Sequence, residues 1–424
     1  MGGVAERVAL ACIVAGASAV ISIANLAGSI RVLDLTGSAF MLSLSVLLYN
    51  VAFTIMSWVW PAVFLGRVSR RGMLAFALGG MSSGLALMGI PPVPALVIAG
   101  SGIVGASSAL ISPVMMTIMT DYYGKDSLAV TKYNTYSSTG LVLGYVAAAL
   151  ARVRVGTPEL LLGSAATSAA LVILTALVPQ KYVVVEPRRV TFISLIPQLT
   201  GRLRPLPSAL FSPRIAYNMH RLIQDFMRAV RRNIQRRLPL TLTGTAVLFT
   251  AISLFFTPMP AFMRSVGLSD VEVYATYLTS SIVSTISYRV VYPIISDYRK
   301  AWKLLITAAA ARAPIFLLPI YVLLLKGSVG ALPIIVTCFI AIGLTWTAIS
   351  SSLTTVVLAM SEKERKGERL GHLNAMVGLG TIIGSLLAGL IVRSYGYAAL
   401  SALASALVLT ATSLYYRAKN ALVT

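Results

Sequence analysis

Residues 72–124 pass without a single Lys or Arg, and residues 155–180 do so again. Water cannot be the solvent for such stretches. Of the 424 residues, 57% are hydrophobic and 11% charged, against roughly 45–50% and 25% in an ordinary soluble domain. Too little polar surface remains to coat a core, so the chain belongs in lipid. Windows of about 20 apolar residues, the length an α-helix needs to cross the hydrocarbon, fall near 8–30, 38–62, 72–90, 94–119, 132–151, 158–179, 240–262, 272–295, 303–325, 329–359, 371–393 and 396–416. The first is preceded only by Glu6 and Arg7 and is too long for a signal-peptide core, so it reads as a retained helix. The expected fold class is an all-α membrane protein with twelve transmembrane helices.

The formal net charge is +22, and its distribution says more than its size. With both termini inside, six basic residues lie at the outer ends (Arg31, Arg152, Arg154, Arg264, Lys326, Arg393) and Arg289 and Arg312 lie within spans. The remaining 27 of 35 collect on the inner side. That is the positive-inside pattern. It implies a multi-pass protein of the cytoplasmic membrane, with cytoplasmic termini, a basic face toward an anionic inner leaflet and no nucleic-acid partner. Cys12 and Cys338 both fall in spans without metal or redox spacing and read as packing residues.

An internal repeat divides the chain. At a constant offset of 240, Asn134, Gly140, Gly144, Ala148 and Leu150 match Asn374, Gly380, Gly384, Ala388 and Leu390. Upstream, Met119-Thr120-Asp121 resembles Met360-Ser361-Glu362, with Gly102 aligned to Gly343, and Arg31–Thr36 resembles Arg264–Ser269 at offset 233. Small-xxx-small glycines such as Gly140/Gly144 and Gly380/Gly384 permit close helix packing. The expected domains are a six-helix bundle over 1–180, a linker over 181–237 and a second six-helix bundle over 238–424. The linker holds 12 basic and two acidic residues, and Ile215, Met219, Leu222, Phe226, Val230 and Ile234 recur at helical spacing within it. It reads as a basic amphipathic helix lying on the inner membrane surface.

Twelve helices as six plus six, with a long inner link, resemble the major facilitator superfamily of secondary transporters. The resemblance covers essentially the whole chain. The stretch Gly66-Arg-Val-Ser69-Arg70-Arg71-Gly72 is similar to the family's loop between helices 2 and 3, shortened and without its Asp. Ser296-Asp297-Tyr298-Arg299-Lys300 is its second-half counterpart and keeps the acid. The resemblance implies two pseudo-symmetric bundles and a cytoplasmic gate made of Gly66, Ser69, Arg70, Arg71, Asp121, Asp297, Arg299 and Glu362. These loops are expected to latch the inner side closed in the outward-facing state, with Asp297 meeting the N-terminus of helix 5, where unsatisfied N–H groups favour an anion. Ser69 is expected to cap helix 11 in the same way, without a charge. The arginines are expected to meet Asp121 and Glu362.

Ionisable groups in the bilayer are costly and usually face a bundle interior or a cavity. At about 1.5 Å per residue, Arg289 lies roughly 10 Å and Arg312 roughly 13 Å from the inner helix ends, short of the midplane. Each has three options: to snorkel, to bond to carbonyls, or to face a cavity, where an anionic or carbonyl-rich solute would neutralise it. With Asn25, Tyr49, Asn50 and Trp346 they form the expected substrate cavity. All 13 carboxylates sit in loops or near helix ends, and Asp34 is the nearest to a titratable coupling group. No metal-ligand cluster, phosphate-cradling loop or nucleophile-base arrangement is present, so no enzyme, cofactor or metal site is expected. The expected function is alternating-access transport of a small organic solute by a monomer. The alternative is a transporter-like sensor that binds a ligand without moving it.

Overall fold

The computed structural model describes residues 4–64, 68–123, 126–178, 237–295, 297–324, 330–360 and 366–421. The amphipathic helix expected within the linker, and the gate positions Gly66 and Glu362, lie outside the described residues. The first half contains α1 (Val4–Thr36), α2 (Ala39–Phe64), α3 (Arg70–Gly89), α4 (Pro94–Tyr123), α5 (Asp126–Ala151) and α6 (Thr157–Leu174). The second contains α7 (Arg237–Phe256), prolonged past Pro258 by a short helix Met259–Ser265, then α8 (Asp270–Ile295), α9 (Tyr298–Leu324) and α10 (Ala331–Ala359). A last helical stretch, Lys366–Asn420, breaks at Gly396 (φ 77°) into α11 (366–395) and α12 (397–420). The protein is an all-α membrane protein whose twelve helices form two pseudo-symmetric six-helix bundles.

Among the described residues, nine helical stretches are long and apolar enough to cross a membrane, the last of them holding both α11 and α12. The two helices that fall short, α5 and α8, pack against each other across the two halves. Part of their polarity is used inside their own halves, where Ser137 of α5 meets Ser18 of α1 and Ser284 of α8 meets Thr347 of α10. Elsewhere the surface is apolar: Leu150, Ile173 and Leu324 are each about 70% exposed, while Ser168, Thr245, Ser352 and Ser385 are fully buried. A chain solvated by lipid places its side chains this way, since only the interior offers hydrogen-bond partners.

Both halves use the same contacts. In the first, α1 packs on α5, α2 on α4 and α3 on α6; in the second, α7 packs on α11, α8 on α10 and α9 on α12. Gly140 and Gly144 of α5 lie against the backbone of Ala15 and Ala19, and Gly380 and Gly384 of α11 against that of Ala246 and Thr250. The α2–α4 and α8–α10 contacts correspond too, with one correction. Gly343 meets the Ser280 carbonyl, and its first-half equivalent, against the Tyr49 carbonyl, is Gly105 rather than the aligned Gly102, which faces the Leu48 side chain. Helix rotation, not linear alignment, decides which glycine meets a backbone. Gly37 (φ 62°) and Gly267 (φ 90°) supply the left-handed turns from α1 to α2 and from α7 into α8. Both turns lie at the end of the molecule opposite the chain termini, called here the far end.

A side chain at Gly144 or Gly384 would enter a backbone that cannot move aside, whereas Gly79 and Gly163 have nothing within 4 Å. Gly144→Val and Gly384→Val are expected to lower stability by about 1–3 kcal/mol and Gly79→Ala to leave it unchanged, measured as thermal unfolding of the purified protein.

Candidate functional site

In the first half, Asn25 of α1 is exposed although its helical neighbours are buried, and it lies within hydrogen-bonding reach of the Tyr49 hydroxyl on α2. That hydroxyl also shares a 3.2 Å bond with Ser108 of α4. Asn25 and Tyr49 line a narrow gap of ≈ 20 Å³, little more than room for a water, with Ser29, Ser45, Met88 and Ser101. Asn50 points elsewhere. Its amide donates 2.9 Å to the Ser385 hydroxyl of α11, in the other half, and Ser385 in turn meets Ser253 of α7 at 2.8 Å. One turn farther along this seam, Gly378 of α11 faces Thr54 of α2.

In the second half Arg312 and Trp346 come together. The Arg312 guanidinium carbon stands 5.6 Å from the Trp346 ring centre. Its Nε donates to Thr345 at 3.1 Å and its Nη2 to the Ile342 carbonyl at 3.4 Å, while Nη1 is buried without a partner. Trp346 leans edge-on against Phe249 of α7, 6.0 Å away. Arg312 is 0% exposed, so it neither snorkels nor opens directly onto a cavity. It starts from α9, behind α10, and the Trp346 ring lies over it. Among the described residues no acid pairs with it. Arg289 is exposed, on the side of α8 that carries Ile282, Ile286 and Val290, and the structure does not bring it to the other five cavity candidates.

The far end holds what sequence reasoning missed. Arg264 at the end of the α7 extension contacts Asp34 of α1, and its Nε donates to Asp270 of α8 at 2.6 Å. Arg152, at the end of α5, contacts the other oxygen of Asp270. The second oxygen of Asp34 accepts from Thr157 at 3.2 Å. Two aspartates and two arginines, one of each from each half, thus cancel in a neutral cluster with side chains between 12% and 33% exposed. Arg393 of α11 adds a cation–π contact to Phe40 of α2, 5.8 Å away. Beneath the cluster Tyr145 of α5 meets Tyr277 of α8 at 6.0 Å, and Tyr277 meets Phe339 of α10 at 4.9 Å. Among the described residues, every ion pair that joins the halves lies at this end. The signal was present in the sequence as charges at the outer ends of α1, α5, α7 and α8, but their pairing is a property of the assembled seam.

At the opposite end the polar contacts among the described residues stay within one half. Arg70 donates to Asp121 at 2.5 Å, joining α3 to α4. Ser69 does not reach α11: its hydroxyl accepts from Gly72 N at 3.1 Å and caps its own α3. Asp297 likewise accepts from Arg299 N at 2.8 Å and caps its own α9 instead of α5. A cap two or three residues away orders almost nothing further, whereas a cap across the seam needs the halves brought together at this end. Arg71 is half-buried and Arg299 exposed, neither with a described partner for its side chain.

A sequence model of the Major Facilitator Superfamily matches residues 8–357. No curated protein matches the sequence. Among solved structures, the chain is similar in fold to the nucleoside transporter NupG, with TM-score 0.72 and 13% identity over 98% of this chain and 99% of the other. It is also similar to a bacterial homologue of the human lysosomal transporter Spinster in an inward-facing, unoccupied conformation, with TM-score 0.69 and 13% identity over 99% and 98%.

Asn50→Ala and Ser385→Ala are each expected to cost about 1 kcal/mol. Because they share one hydrogen bond across the seam, the double variant is expected to cost less than the sum by roughly 0.6 kcal/mol. Thermal unfolding of the four proteins measures the cycle.

Proposed function

Because this chain belongs to the Major Facilitator Superfamily, we propose that it is a secondary transporter that carries a small organic anion across the cytoplasmic membrane by alternating access. Two rigid bundles, 1–180 and 238–424, rock about their seam as one monomer, and 181–237 links them on the inner face. The charge asymmetry sets both termini in the cytoplasm and makes the far end the outside.

One observation carries this reading: ion pairs between the halves occur, among the described residues, at the far end alone. A seam tied at one end, with self-capped helices at the other, is the arrangement of a protein closed outward and free to open inward. Ser69, Arg70, Arg71, Asp121, Asp297 and Arg299 sit where a second, inner closure would form once the halves rock back.

The solute class is argued from Arg312. The likeness to a nucleoside transporter is one of fold and carries no solute with it. A guanidinium buried with one free N–H group and no described acid puts an unpaired positive charge inside the second half, behind α10. Trp346, between Arg312 and Phe249, presents a planar ring in front of that charge. An anion about 8 Å from it, at an effective dielectric of about 20, is favoured by about 2 kcal/mol, or roughly thirtyfold. Asn25 and Tyr49 supply neutral hydrogen-bonding groups from the first half.

In proteoliposomes the wild-type protein is expected to take up small organic anions. Arg312→Met, which removes the buried charge at similar volume, is expected to lower that uptake about tenfold or more while Arg312→Lys stays within a few-fold. A neutral analogue should be indifferent to both changes. Saturable binding with no flux of any solute would make the protein a ligand sensor instead.

A further inference from the structure

Arg31 is the residue that the internal repeat pairs with Arg264, yet the two differ in one respect. Arg264 touches two carboxylates. Arg31 is half-buried, its Nε is buried without a hydrogen bond, and it has no ion pair among the described residues. It stands three residues before Asp34 in the unbroken helix α1. At that spacing two side chains share a helix face, roughly 5–6 Å apart at Cβ. Asp34 is not paired with this neighbour: Arg264 stands at one of its oxygens and the Thr157 hydroxyl at the other.

We propose that Arg31 is the alternate partner of Asp34. When the far ends of the halves part, Asp34 passes from Arg264 of the second half to Arg31 of its own helix. This rests on the alternating-access reading and adds to it the group that makes the outer end able to open. In the closed state Asp34 and Asp270 share Arg264, Asp270 also holds Arg152, and Arg31 is free. In the open state Asp34 takes Arg31. Asp270 keeps Arg264, which is six residues away in the same half and moves with it. Arg152, from the first half, becomes the free arginine. Both carboxylates are paired in both states and one arginine is free in each. Without Arg31, opening would leave Asp34 with no cation partner, and the open state would lose an ion pair that the closed state has. Arg31 is thus a positioning residue for the transport cycle.

The repeat accounts for this arrangement. The first half carries its acid at Arg31 plus three, on the helix. The second has Gly267 at that position, where the chain turns with φ 90°, and its acid at Asp270 beyond the turn. The second-half acid therefore meets Arg264 across a turn in either state, and only the first half needs an exchange.

The test is the labelling rate of Ser43→Cys by a water-soluble maleimide in nanodiscs, in a chain carrying Cys12→Ser and Cys338→Ala. Ser43 of α2 is 2% exposed and lies against Gly389 of α11 across the seam, so reagent reaches it when the far end opens. Arg264→Gln is expected to speed labelling and Arg31→Gln to slow it, each by about two- to fivefold, with Arg31→Lys restoring the wild-type rate. In an Asp34→Asn background Arg31→Gln should change nothing, which separates partner exchange from simple repulsion among the arginines. If the wild type labels but Arg31→Gln labels as fast, or slows equally without Asp34, the exchange is overturned and alternating access stands. If the wild type never labels, both fall together. Matching thermal unfolding of Arg31→Lys and Arg31→Gln confirms that a rate change is not loss of fold.

Discussion

Helices in hydrocarbon gain little by hiding apolar side chains from one another, because lipid tails are as apolar as leucine, so contact itself must hold them. Here that contact is made where glycine meets backbone. Gly140 and Gly144 let α5 lie on α1, and Gly380 and Gly384 let α11 lie on α7. Much else follows from this approach. With α7 and α11 so close, Ser253 reaches both the Thr381 carbonyl and the Ser385 hydroxyl. Ser385 is then placed to accept from Asn50 of the other half. On the α1–α5 side, Ser18 and Ser137 meet at 2.9 Å for the same reason. These hydroxyl contacts within each half, and through Ser385 the one that Asn50 makes across the seam, are built on the absence of four Cβ atoms.

Along the seam the chemistry changes with depth. Hydroxyls and amides occupy the middle, aromatic rings lie beyond them, and charges close the far end. Such an order suits two bodies that separate. Partly buried ion pairs hold through contacts that are modest in net energy and that have alternatives, whereas a continuous apolar interface would not release. At the end that carries the termini, Ser69 and Asp297 satisfy their own helices. Among the described residues the seam is therefore ion-paired at the far end alone, while the halves remain alike in architecture.

Arg312 shows how position outranks residue type. A helix-9 arginine at this depth had three outlets: water, carbonyls or a solute. It takes carbonyl and hydroxyl oxygens of α10 together with the face of Trp346, and still leaves one nitrogen unbonded. Arg289, at a similar depth on α8, remains exposed beside Ile282, Ile286 and Val290. The difference lies in what each helix has behind it.

Hydrophobic length and charge placement are local properties, so the twelve spans, the twofold organisation and the glycines of α5 and α11 were all legible in the sequence. The family resemblance was legible for the same reason, as spacing along one dimension. Three things were not. Ser69 and Asp297, expected to reach across the halves in the outward-facing state, cap their own helices here, a choice that depends on how close the halves stand at one end. Gly105 replaces Gly102 as the counterpart of Gly343, because the rotation of α4 about its axis is set by packing. The pairing of Asp34, Arg152, Arg264 and Asp270 joins residues more than a hundred positions apart. The sequence by itself determined which segments cross the membrane and that they form two related halves, since the solvent enforces both locally. Only the tertiary structure decided which charges join the halves and, among the described residues, at which end of the seam they do so, since that depends on how one half packs against the other.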